Sequence, residues 1–106
     1  MTLEQAQKIK EDYSYLFIDG ERYIVIVPDD DSKNEYIKHL NDVIFDGTYN
    51  EDYIPKSSNE NYDVIIIEYF DSVLNNKFHA PRLIDWIYKN NIDFNHKNYG
   101  LESPQK

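Results

Sequence analysis

Cysteine is missing from all 106 residues, and its absence removes disulfides, thiolate metal sites and thiol nucleophiles together. Glycine is nearly as scarce, at three residues, too few to build a glycine-rich phosphate cradle. Ser57-Ser58 lacks the flanking glycines of a nucleophile elbow. No apolar run approaches the ~20 residues that cross a bilayer, and Met1-Thr2-Leu3-Glu4-Gln5 has neither the basic patch nor the apolar stretch of a secretory signal. These absences predict a cytoplasmic chain with no membrane partner. Basic residues are also in short supply, 11 against 20 acidic ones, for a net charge of −9. Such a balance repels phosphate, and no stretch interleaves basic with aromatic residues, so direct nucleic-acid binding is not expected.

The length allows one domain with a core of two or three layers and only shallow ligand sites. It is expected over residues 1–99, with a flexible tail over 100–106 that lacks a periodic apolar face. Thr2 and Gln5 have capping-box spacing before Leu3, Ala6, Ile9 and Tyr13, which predicts a helix from Leu3 to Asp12. Tyr15 to Ile18 and Arg22 to Val27 flank Asp19-Gly20 and read as a β-hairpin. Pro28 ends the second of these strands, and Ser32 to Glu35 has the spacing of another capping box. The helix after it carries Tyr36, Ile37, Leu40, Val43 and Ile44 on one stripe and stops at Gly47.

Asp46 to Asn61 is a long polar connector, and Tyr62 to Ile67 an apolar run suited to a buried strand. A short helical turn is expected near Asp71 to Leu74. Pro81 opens a last helix that turns Leu83, Ile84 and Ile87 inward and ends near Asn90-Asn91. The predicted fold is therefore α+β, in the order αββαβα: a mixed three-stranded sheet, made of the hairpin and one further strand, packed with three helices. Its last two strands would be parallel, joined by a right-handed crossover.

Charge is concentrated in one stretch. Between Asp19 and Glu60 lie eleven acids (Asp19, Glu21, Asp29, Asp30, Asp31, Glu35, Asp42, Asp46, Glu51, Asp52, Glu60) and four bases (Arg22, Lys33, Lys38, Lys56), a surplus of seven. In the connector, tyrosines alternate with carboxylates, a combination of rigid aromatic contact area and long-range attraction that suits a protein-binding patch. Asp29, Asp30, Asp31, Glu35, Asp42, Glu51 and Asp52 are the expected electrostatic contacts, with Tyr49 and Tyr53 as anchors. The expected function is that of a small non-enzymatic inhibitor, immunity or anti-defence protein, of the kind phages and mobile elements carry. It would dock on the basic surface of a nucleic-acid-binding protein or nuclease by offering carboxylates in place of phosphates, and it would need no cofactor.

A second pattern points elsewhere. Asp29 and Asp30 follow one buried strand, while Glu68 and Asp71 follow the other; parallel strands would bring the four together as oxygen ligands for Mg²⁺. From Tyr23 to Asp71 this resembles in outline the acidic pocket of response-regulator receiver domains, and the resemblance implies phosphotransfer or phosphate binding. Glu68 stands where that family has its phosphorylated aspartate. The plainer reading of Asp29-Asp30-Asp31 is that they offset the positive end of the following helix. His39, His79 and His96 have no ligand spacing, and Trp86 beside Leu83 and Ile87 is read as core.

Overall fold

In a computed structural model of the chain, residues 1–17, 22–68 and 80–101 are described. Their elements in chain order are α1 (Leu3–Tyr13), a 3-10 turn (Ser14–Leu16), β1 (Arg22–Pro28), α2 (Lys33–Asp46), β2 (Tyr62–Glu68), α3 (Leu83–Lys89) and a second 3-10 turn (His96–Tyr99). The predicted capping box of α1 is present: Thr2 Oγ1 accepts from the Gln5 N–H at 3.1 Å, and Gln5 Oε1 accepts from the Thr2 N–H at 2.8 Å. Gly47 closes α2 at φ +75°, a conformation that carries a steric penalty for any residue with a Cβ. At the other end of α2 the Ser32 side chain caps nothing; Asp30 Oδ1 instead accepts from the Ser32 N–H and hydroxyl, so Asp30 makes the turn into the helix.

The sheet differs from the expectation. Among the described residues it has two strands, β1 and β2, and they are antiparallel, with Arg22 opposite Glu68, Val25 opposite Ile65 and Pro28 opposite Tyr62. The predicted hairpin fails at its first strand, because Ser14 to Leu16 form a 3-10 turn and Phe17 is irregular; its Asp19-Gly20 turn lies outside the described residues, as does the turn expected near Asp71. Periodicity explains the error: Tyr15-Leu16-Phe17-Ile18 is a short apolar run, which spacing alone cannot assign to strand or helical turn. The parallel crossover is overturned by the same register. The outer edge of β2 is met by one isolated bridge, Ile65 to Arg82, with the Ile66 N–H donating to the Pro81 carbonyl at 2.9 Å.

Both strands are apolar on both faces because both faces are covered. Ile24, Ile26, Val64 and Ile66 pack with Ala6 and Ile9 of α1, Leu83 and Ile87 of α3, and Phe94 and Tyr99. Val25, Val27, Ile65 and Ile67 pack against Ile37, Leu40 and Ile44 of α2. Each of these Val, Leu and Ile side chains contributes about 1.5–3 kcal/mol by leaving water. Gly100 caps the second 3-10 turn, and Leu101 packs against the α1 side of the core.

One charge is buried in this apolar sheet. Asp63, 2% exposed and opposite Val27 on the α2 face, accepts through Oδ2 from Lys33 Nζ at 3.0 Å and Arg82 Nε at 2.8 Å, and through Oδ1 from the Val64 N–H at 2.9 Å. Lys33 opens α2 and Arg82 caps α3, so a single carboxylate fastens both helices to the sheet. Replacing both cations in a Lys33→Met, Arg82→Met variant is expected to cost about 3–5 kcal/mol, because a desolvated charge then has no counter-charge. Urea unfolding measures it, and Lys33→Met alone is expected to lose much less.

Candidate functional site

The antiparallel register separates the two groups of the possible metal site. Glu68 lies opposite Arg22 at one end of the sheet, whereas Asp29 and Asp30 follow Pro28 at the other, about 20 Å away at ~3.4 Å per residue. Asp71 is outside the described residues. Among those described, no three or more His, Asp or Glu residues are grouped to hold a metal ion.

The connector after Gly47 brings the acidic segment together. α2 starts beside the end of β1 and runs back to its beginning, so the chain must retrace the length of β1 before entering β2. It does so in contact. The Tyr49 ring meets Tyr23 at the start of β1 with centroids 5.8 Å apart. Glu51, Asp52 and Ile54 border a depression shared with Ile26 and with Gln7, Lys10 and Glu11 of α1. At the far end the Ser58 N–H donates to Asp30 Oδ2 at 2.8 Å, Asn59 Nδ2 donates to the Asp29 carbonyl at 3.1 Å, and the Asp29 N–H donates to the Asn61 carbonyl at 2.9 Å.

The nine residues expected to bind a partner therefore divide. Asp30 is spent on local structure: the Ser32 hydroxyl, then the Ser58 and Ser32 N–H groups, hold its carboxyl well below the usual carboxylate range. Asp29 pairs with Lys33 at 3.5 Å. Tyr49 is half-buried against the α2 side of the core. Asp31, Glu35, Asp42, Glu51 and Asp52 are exposed and form no ion pair among the described residues, and Tyr53 is 61% exposed. Glu35 and Asp42, seven residues apart, share one stripe of α2.

Rings from β1, this helix and the connector, Tyr23, Tyr36 and Tyr49, pack against one side of the core. Burial and then the neighbouring Tyr53 raise the Tyr36 hydroxyl pKa, and Tyr36 stacks obliquely on His39 at 6.0 Å. Burial first, followed by Tyr36, Glu51 and Tyr23, pushes Tyr49 up to about 12. Tyr23, Tyr36 and Tyr49 thus share the α2 side of the core, with Tyr53 and Glu51 near enough to act electrostatically on Tyr36 and Tyr49 respectively. Tyr23 and Tyr36 went unrecognised in the sequence because both sit in stripes that read as core. His96, by contrast, is a core residue: it is buried, edge-on to Phe94 at 4.7 Å and within 2.8 Å of the Tyr88 hydroxyl.

Tyr49 makes a pH prediction. An unfolded tyrosine ionises near pH ~10, while Tyr49 in the folded chain holds its proton to about 12. Its contribution to stability is therefore fully present below the unfolded value and is lost as pH rises through the folded one. Tyrosinate absorbance should show a late-titrating ring that disappears in Tyr49→Phe, and that variant should lose less stability between pH 10 and 12 than the parent.

Compared with known proteins, the chain matches no family model, no curated protein and no solved structure.

Proposed function

We propose that this chain is a small, non-enzymatic, cytoplasmic docking protein that offers an acidic, tyrosine-bearing face to a basic protein surface. Surfaces of that sign are required wherever phosphate backbones are handled, so the class of partner is a nucleic-acid-binding protein or nuclease, and the role is that of an inhibitor or immunity-type protein occupying the partner's phosphate-binding ground. The observation that carries the reading is the junction of α2 with the connector. Tyr36 of the helix and Tyr49 of the connector pack against the same side of the core. Glu35 and Asp42 on the helix and Glu51 and Asp52 on the connector are exposed and unneutralised by ion pairs among the described residues, and the Tyr53 ring is exposed as well. Carboxylates of that kind attract a cationic partner at long range, and rigid rings beside them supply contact area at low entropic cost. The cysteine-free composition suits a reducing compartment.

Two variants of equal charge test it: Glu35→Lys with Glu51→Lys on α2 and the connector, and Asp85→Lys with Asp93→Lys on α3 and the exposed segment after it. Partners captured from a native lysate by the parent chain are expected to be basic, to dissociate as salt is raised, and to be displaced by duplex DNA or RNA. Their affinity is expected to fall about tenfold or more in the first variant and to stay within about twofold in the second. Equal losses in the two variants, or partners indifferent to salt and nucleic acid, would overturn the proposal.

A further inference from the structure

We infer that the cleft between the first turn of α2 and Pro55 is the anchoring point for one arginine side chain of the basic partner; the inference rests on the docking function just proposed and names the group that carries its specificity. The cleft is about 280 Å³ and is lined by Ser32, Glu35, Tyr36 and Pro55. A carboxylate, an aromatic ring, a hydroxyl and a flat proline ring are together the complement of a guanidinium, which takes a carboxylate through two parallel N–H bonds while its plane rests on ring surfaces. A lysine ammonium has one compact, strongly hydrated charge and makes neither the fork nor the stack as well.

The neighbouring charges favour a cation here. Lys33, the nearest base in sequence on the N-terminal side, is drawn to Asp63 at 3.0 Å and Asp29 at 3.5 Å. Glu35 forms no ion pair among the described residues, Lys38 one turn on included. Tyr36 is set in place before any partner arrives, by partial burial against the α2 side of the core and by His39 beside it. A pre-set ring adds to affinity because little side-chain freedom is lost on contact. A metal ion is the poorer occupant, since among the described residues Glu35 is the only carboxylate lining the cleft and hard divalent cations take six or more oxygen ligands.

The probes are two nine-residue peptides, all arginine and all lysine, titrated against the whole chain by calorimetry at matched ionic strength. The arginine peptide is expected to bind about three- to tenfold more tightly. Because arginine-rich peptides are stickier in general, the deciding measurement is the change in that ratio. It is expected to fall to about one to two in Glu35→Gln and in Tyr36→Leu, while Asp42→Asn weakens both peptides alike and leaves it intact. Glu35 is exposed, so Glu35→Gln reads out even if Tyr36→Leu disturbs packing. Salt-sensitive binding of both peptides with no arginine preference, or a preference that survives Glu35→Gln, overturns the anchor and leaves the docking face standing. Absence of salt-sensitive binding of either peptide removes the docking face itself, and the anchor with it.

Discussion

A carboxylate removed from water costs several kcal/mol unless positive charge and hydrogen bonds replace what the solvent supplied. Asp63 sits in that position, inside the second strand and beneath the second helix, and the two cations that answer it come from chain segments on either side: Lys33 precedes it by 30 residues and Arg82 follows it by 19. The apolar layers would bury a similar area with the second helix turned or shifted along the sheet, since hydrophobic attraction has no direction. An ion pair with hydrogen-bond geometry does have direction. It holds Lys33, at the start of α2, and Arg82, just before α3, to one point of β2.

The direction of strand pairing has the other large consequence. A helix that returns along the first strand leaves the chain at the wrong end for an antiparallel second strand, and the connector has to travel the sheet once more to reach Tyr62. Its length follows from that detour. Part of what it carries on the way is set against β1: Tyr49 meets Tyr23, and Glu51 and Asp52 border a depression shared with Ile26 and α1. Asp30 does its work at the end of the same path, where its carboxylate holds the turn into α2 and the Ser58 N–H at once. One residue of the acidic run thus joins helix and connector, leaving its neighbours Asp31 and Glu35 facing water.

Much of the fold was legible. The ends of α1, the Gly47 stop of α2, the strand closed by Pro28, the apolar run from Tyr62 and the inward side of α3 all follow from caps, turn residues and apolar spacing, which are local, whereas the capping box expected from Ser32 to Glu35 is not formed. The hairpin and the parallel crossover were misread for a shared reason: strand partners lie far apart in sequence, and no local rule says which edge a strand takes or in which direction. Two signals did bear on it. A connector as long as Asp46 to Asn61 is more than a parallel return needs, and a lone aspartate in Tyr62-Asp63-Val64-Ile65-Ile66-Ile67 announces a buried charge in need of partners. Neither identifies Lys33 and Arg82, because the pairing exists only once the segments meet.

For the acidic stretch the division is similar. Composition alone established the sign and concentration of charge, the lack of any thiol chemistry and the pairing of tyrosines with carboxylates along one segment. Tertiary structure decided how each was used: Asp29 taken up by a lysine, Asp30 by backbone amides, Tyr49 by the core, and Glu35, Asp42, Glu51, Asp52 and Tyr53 left at the surface. The physical reason is that charge and aromaticity are properties of single residues, whereas being satisfied or unsatisfied is a property of neighbours, and for Asp29 and Asp30 those neighbours include residues 30 and 28 positions away.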